Sequence, residues 1–539
     1  MQTVTKFLLK DLQYRGFVEG LTVIDKVTNK PLCHYFGGVP YALPPVGPYR
    51  WRKPRELPPC YRYGTRANPG RYTGGAGVCF QPSSAAPANH ALFDEDCLQC
   101  NLWIPIGEPP PNGWPVLFYI HGGFLQFGSP NIGKHAYAAL LSETNVQCVI
   151  VMPAYRLNVF GFLAARELEE EATSSGAAIG NAGFWDQRLA LEWTHKNISY
   201  FGGNAKNITI CGYSAGSHSA FHQLAYDLEL PDNKSIIRRA VMWSNGPGLQ
   251  PKSLSEAQDQ FDEFLHALNI PLALSSKEKL ARLRSLKPET LLAATHKIKL
   301  HEFRALSDGV FVRKTLFEEI NDGTFAGQMR RRGIKIMLGE CQDEHFVYGT
   351  WRTPANGSDA MFARFLADYP RAASEKLMRH YCPSGELPNG SQDWRYVFGK
   401  IYADVQIHGL IRGFVDALTR HGAGDLVYRY RINWKVNCSP MPSEWGVTHG
   451  TDLGIWLFGS GKMLEPKEKE LVKLWLEPFG AFLRGEEVQW ATKGPKQVRR
   501  LTAAGAIDIW EDDAWEEGLQ LWDLLNKPKQ TAHLERAKL

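Results

Sequence analysis

Near the middle of the chain the run "NITICGYSAGSHSAFHQLAY" passes from apolar β-formers through small residues into a helix-forming stretch. A sharp strand-to-helix reversal of this kind constrains a fold strongly, because crowding at its tip tolerates only small neighbours. Gly212 and Gly216 stand two residues on either side of Ser214 and supply that room. G-x-S-x-G in this setting is the pattern of a nucleophile elbow, which exposes a serine hydroxyl at the tip of the turn. Taken alone, the five residues also fit a glycine-rich loop opening an ordinary helix.

Upstream, "WPVLFYIHGGFLQFGS" reads as a buried strand, "VLFYI", running into His121, Gly122, Gly123 and Phe124. Glycines at such a strand end let backbone N–H groups turn inward toward developing negative charge. The order of strand, HGG loop, strand and elbow is the one that acyl transfer through a serine requires. A plain strand-end turn explains the loop but not the order.

Other functional classes are excluded by composition. The net charge of +5 comes from 61 basic and 56 acidic residues. They are spread along the chain, and clusters such as Arg330–Arg332 read as solvated faces, so no nucleic acid is expected as a partner. Ten cysteines include one C-x-x-C, Cys97 to Cys100, but no second pair and no Cys/His cluster at metal spacing, and no metal is expected. The N-terminal run "FLL" is far short of a secretory core, and no stretch nears the roughly 20 apolar residues of a membrane span. A soluble, intracellular protein is expected, in which the sequons at Asn197, Asn207, Asn233, Asn356, Asn389 and Asn437 carry little meaning.

With these segments in hand, the chain resembles the type-B carboxylesterase and cholinesterase-like branch of the α/β-hydrolases. The resemblance runs in consistent order through "FGGVPYALPPVGPYRWRKP", "DEDCLQCNLWIP", "PAYRLNVFGFL", the long segment from "GNAGFWDQ" to "GYSAGS", "GECQDEHFVYG" and "THGTDLGIWLFG". It implies an α/β-hydrolase fold: a large, mostly parallel central sheet flanked by helices, as a single domain over residues 1–539. Residues 250–330 and 355–430 show helical periodicity and are expected as helical insertions over the site. The stretch "EKELVKLWLEPFGAFLRG" reads as a closing helix whose Trp and Phe stripe packs in the core.

A serine attacks only when a base takes its proton and an acid orients the base. The resemblance implies Ser214 as nucleophile, His449 as base and Glu344 as acid, in the chain order usual for this fold. Adjacent carboxylates cannot be separated by chemistry alone, so Asp343 stays as the alternative to Glu344. The oxyanion and substrate-binding set is Gly122, Gly123, Phe124 and Ala215. His345 and His218 are expected to line the pocket, and His121 to brace the oxyanion loop. Ser244 matches a serine that bonds near the acid in relatives. No cofactor is expected. The chemistry that the resemblance implies is two-step acyl transfer from a small-molecule ester.

Departures from the family carry information. The third oxyanion-loop position, commonly a small residue, is Phe124, which restricts the backbone and narrows the acyl side. The residue before the nucleophile, commonly Glu, is Tyr213. The segment between Cys79 and Cys97 lacks the choline-site tryptophan. Together the last two argue for neutral, apolar esters and against choline esters. Cys79 and Cys97 match a family disulfide, which a reducing compartment would leave as thiols. Other readings are a lactonase or acyltransferase of a specialised pathway, and a non-catalytic cholinesterase-like binding protein. The terminal Ala537-Lys538-Leu539 resembles a peroxisomal address, with the cytoplasm as the alternative. Oligomeric state is not legible.

Overall fold

The apolar runs of the sequence become strands of one sheet. The computed structural model describes residues 2–82, 93–175 and 178–527. Among these residues the main sheet has thirteen strands. Twelve of these form a continuous path. In chain order they are β1 (Thr3–Asp11), β2 (Phe17–Asp25), β3 (Pro31–Pro40), β4 (Gln99–Pro105), β5 (Trp114–Ile120) and β6 (Val149–Pro153). Then follow β7 (Gly203–Tyr213), β8 (Ile237–Trp243), β9 (Lys335–Cys341), β10 (Val427–Ile432), β11 (Gln497–Leu501) and β12 (Ile507–Glu511). They lie side by side in the order β1-β2-β3-β4-β6-β5-β7-β8-β9-β10-β11-β12, and the short strand Gly70–Arg71 pairs with β2. From β6 through β11 every neighbouring pair is parallel, and antiparallel strands occupy both flanks.

The central strands are buried on both faces, as parallel strands under helices must be. Alternation along each strand divides its side chains between two cores. Val116, Phe118 and Ile120 of β5 join one core with Ile208, Ile210 and Met242. Leu117 and Tyr119 join the opposite core with Cys211, Val241 and Trp243. The helix Pro466–Arg484 closes that second face, its Trp475 and Phe479 packed on Trp456 and Trp243 and its Phe482 on Tyr428, as expected of a core stripe.

Two features fix the ends of the central strands. Arg156, just past β6, donates from Nη2 to Asp186 Oδ1 at 2.7 Å and from Nε to Oδ2 at 2.8 Å, with both residues buried. This pair ties the "PAYRLN" loop to the helix Ala182–Asn197. Cys79 and Cys97 are joined by a disulfide. The sequence reading had left that pairing to the compartment.

Residues 250–330 contribute the helices Leu254–Ala267, Ser276–Ser285, Pro288–Thr295, Leu316–Asp322 and Thr324–Arg332. The first two open on capping boxes, Ser253 with Glu256 and Ser275 with Glu278, which satisfy otherwise orphaned N–H groups. Residues 355–430 contribute Ser358–Asp368, Arg371–Tyr381, Trp394–Ala403 and Gly409–Arg420, the last two joined by a π turn over Asp404–His408. Among the described residues no helix is long and apolar enough to cross a membrane. Ala537–Leu539 lie outside the described residues.

Candidate active site

The elbow forms as a strained turn. Ser214 joins β7 directly to the helix Ala215–Glu229 and takes φ 57° and ψ −125°, a conformation that costs a non-glycine residue energy. The structure around it over-determines that geometry. Ser214 N–H donates to the Trp243 carbonyl at 2.9 Å, and Ser217 Oγ donates to the carbonyls of Gly212 and Trp243, each at 2.7 Å. A Cβ on Gly212 would sit 2.0 Å from the Gly216 carbonyl oxygen, and one on Gly216 would sit 2.0 Å from that of Ile120. Both glycines are therefore required for the close approach of strand, helix and β5.

The loop after β5 packs against this turn. A Cβ on Gly122 would come within 2.7 Å of the Tyr213 carbonyl oxygen and 3.0 Å of Ser214 Cβ. Gly123 takes φ 115°, where its carbonyl accepts from the N–H groups of Gln126 and Phe127 at 2.8 and 3.0 Å. The backbone N–H groups of Gly123, Phe124 and Ala215 have no protein acceptor among the described residues. His121 sits beneath the loop, stacked on Tyr155 at 4.5 Å, with Nδ1 2.8 Å from the Gly122 carbonyl oxygen. Burial pushes its pKa down to about 4, so the ring is neutral at pH 7.

Two consecutive non-glycine residues, Phe124 (φ 57°) and Leu125 (φ 62°), continue the loop in the left-handed region. The Phe124 ring stacks on Trp351 at 4.8 Å and meets Tyr348 edge-on at 5.8 Å. Its carbonyl accepts from Arg304 Nη1 at 2.5 Å. The same guanidinium donates from Nε to Asp368 at 2.8 Å and from Nη2 to Tyr402 Oη at 2.7 Å. Burial alone would lower the Arg304 pKa, yet Asp368, Tyr402 and Glu302 hold it above its ordinary value.

On the far side of Ser214, the carboxylate chosen from the pair at 343–344 is unambiguous in space. His449 Nδ1 lies 2.5 Å from Glu344 Oε2, and Glu344 Oε1 accepts from the Cys341 N–H at 2.7 Å. Asp343 instead accepts from the Val447 N–H at 2.9 Å, pinning the loop that carries His449. Glu344 is fully buried, His449 is buried, and His449 Nε2 has no hydrogen-bond partner among the described residues. Contacts to such a nitrogen commonly form or tighten only with substrate in place. The Tyr213 ring packs on the His449 ring at 5.0 Å, and Tyr348 packs on it at 4.8 Å.

Ser214 and Ala215 open onto a cleft. Its apolar lining includes Phe124, Leu125 and Leu249, and its polar lining includes Tyr348, Arg304 and Gln406. His218 lines it as expected. His345 does not, because the backbone turns after Glu344 and sends it into a separate cleft with His380 and His408.

Three residues near the site escaped the sequence reading. Asp452, three residues beyond His449, is buried; its Oδ2 accepts from Ser244 Oγ at 3.4 Å, while Oδ1 has no hydrogen-bond partner among the described residues. Burial, and then the Glu344 charge, raise its pKa to about 6. Arg304 lies in an irregular stretch, where nothing local marks an arginine as buried. Tyr348 is one helical turn past Glu344, a spacing that could have flagged it.

Comparison with known proteins follows the same outline. A model described as the carboxylesterase family matches residues 9–501. A carboxylic ester hydrolase of Gibberella moniliformis is 49% identical over 519 residues, covering 95% of this chain and 95% of that protein. An uncharacterized esterase/lipase of Schizosaccharomyces pombe is 38% identical, covering 94% of each chain. The solved structure of Aspergillus niger EstA superposes with a TM-score of 0.74 at 21% identity, covering 96% of this chain and 99% of that one, which speaks to the fold.

Proposed function

The chain belongs to the carboxylesterase family and is a carboxylic ester hydrolase, and from that premise we propose that it cleaves neutral, largely apolar esters through an acyl-enzyme on Ser214. His449 takes the Ser214 proton as the hydroxyl attacks the ester carbonyl. Glu344 holds the imidazole in the productive tautomer and stabilises its charged form. The N–H groups of Gly123, Phe124 and Ala215, unpaired among the described residues, receive the oxyanion. The alcohol leaves with the proton from His449. Water then attacks the acyl carbon by the reverse route, with His449 again as base.

The observation that carries this reading is the 2.5 Å contact of His449 Nδ1 with Glu344 beside the strained Ser214 turn. Neutrality of the substrate is supported by Tyr213, an uncharged ring where a carboxylate would attract cations, and by a cleft whose Asp368 is already engaged by Arg304.

The test is Ser214→Ala. It is expected to abolish fluorophosphonate labelling and to lower turnover by on the order of a millionfold, as loss of a triad nucleophile does. Undiminished hydrolysis by the purified variant would remove Ser214 from the mechanism.

A further inference from the structure

Most polar groups lining the cleft beside Ser214 are already satisfied within the protein. Arg304 is bound by Asp368, Tyr402 and the Phe124 carbonyl. Asn245 Nδ2 donates to Gln406 Oε1 at 3.1 Å, and Gln406 Nε2 donates to Tyr369 Oη at 2.7 Å. Two are not: His218 Nδ1 and the hydroxyl of Tyr348, a residue 1% exposed in the cleft wall, make no hydrogen bond of normal geometry among the described residues. A buried hydroxyl left unpaired is costly, so that of Tyr348 calls for an occasional partner.

Three rings hold this hydroxyl where it is. Tyr348 stacks on Tyr402 at 5.1 Å, meets Phe124 edge-on, and packs against His449 at 4.8 Å. Its Oη comes beside the Ser214 side chain, an interaction that works against the upward push of burial on its pKa. Burial dominates, and the phenol stays protonated well above neutral pH, so it is a donor throughout the working range.

The cleft is lined by Ser214 and Ala215 but not by His449. The departing alcohol must reach His449 for its proton, so the cleft receives the acyl side of the ester. An atom two bonds beyond the acyl carbon of a Ser214 ester falls within reach of a hydroxyl beside Ser214 Oγ.

We propose that Tyr348 Oη donates a hydrogen bond to an oxygen carried on the carbon next to the reacting carbonyl, so that the preferred substrates are esters of α-hydroxy or α-alkoxy acids with an otherwise apolar acyl chain. This rests on Ser214 being the nucleophile. A site built to bond such an oxygen discriminates against the analogue lacking it, because the phenol is then buried unpaired against a methylene.

The experiment uses the full-length protein, wild type and Tyr348→Phe, with p-nitrophenyl methoxyacetate and p-nitrophenyl butyrate. These esters have the same length and differ by one oxygen in place of a methylene. Their intrinsic difference in reactivity cancels when the ratio of kcat/KM values is compared between the two proteins. The ratio is expected to fall about tenfold in Tyr348→Phe. A ratio unchanged within about twofold, including the case where both esters slow equally, would overturn the proposal. Fluorophosphonate labelling reports separately on the nucleophile: Tyr348→Phe keeps it, whereas retained labelling in Ser214→Ala would sink the underlying mechanism instead. Should the Phe variant fail to fold, Tyr348→Leu gives the same ratio with the donor removed.

Discussion

Arg304 Nη1 donates to the Phe124 carbonyl oxygen at 2.5 Å, across 180 positions of sequence. That bond fixes the peptide on which two left-handed residues follow one another, and the fork of the guanidinium is anchored on its other side by Asp368. The third oxyanion-loop position can therefore be a phenylalanine because Arg304 and Trp351 hold its backbone and ring where a small residue would rely on freedom alone.

Replacing Arg304 with Lys keeps the charge but loses the planar fork. The loop N–H groups then lose their fixed aim, and kcat on p-nitrophenyl esters is expected to fall about a hundredfold with KM little changed. An unaltered kcat would show that the loop holds itself.

Glu344 and Asp343 are expected to separate cleanly. Glu344→Gln should cost on the order of ten-thousandfold in kcat, as loss of the orienting carboxylate does elsewhere. Asp343→Asn removes a charge but keeps an oxygen to accept from the Val447 N–H, and should cost less than about tenfold. Steady-state kinetics of both variants decide it, and the reverse ranking would transfer the role to Asp343.

Asp452 should make stability depend on pH. Its pKa is raised to about 6 in the folded chain, so the native state binds the extra proton below that value. The favourable contribution is complete below about pH 4 and is lost as pH rises through about 6, an effect on the order of 2 to 3 kcal/mol. Asp452→Asn retains an acceptor for Ser244 and should abolish this loss. Urea unfolding at pH 4, 5, 6 and 7 should show the variant gaining on the wild type as pH rises; parallel curves would contradict the burial argument.

Phe124→Gly removes a buried ring that stacks on Trp351. The loss of packing is partly offset by relief of the left-handed backbone, leaving a net destabilisation of about 3 kcal/mol. The opened cleft should favour bulky acyl groups over acetate. A flat profile across acyl lengths, measured with a p-nitrophenyl series, would mean the ring does not limit the cleft.

Acetylcholine should be a poor substrate beside its uncharged isostere 3,3-dimethylbutyl acetate, by about tenfold or more in kcat/KM. Asp452 lies near Tyr213 but does not line the cleft, and the cleft holds the cationic Arg304. A clear preference for the cation would reveal a site supplied elsewhere.

Much of this protein was legible in one dimension because its signals are local. Apolar runs ending in small residues specify buried parallel strands, and the glycines at 212 and 216 leave only one chain path at Ser214. The family resemblance also pointed to Glu344 and His449, which lie 105 residues apart. Other decisions were made by packing alone. Whether Asp343 or Glu344 meets His449 depends on how the chain leaves β9, since neighbouring side chains there diverge. The same divergence carries His345 into a separate cleft. Arg304, Asp452 and Tyr348 become distinctive only when burial strips water from them. Charge and hydrogen bonding then have to be met by groups far away in sequence, and no local pattern records which groups those are.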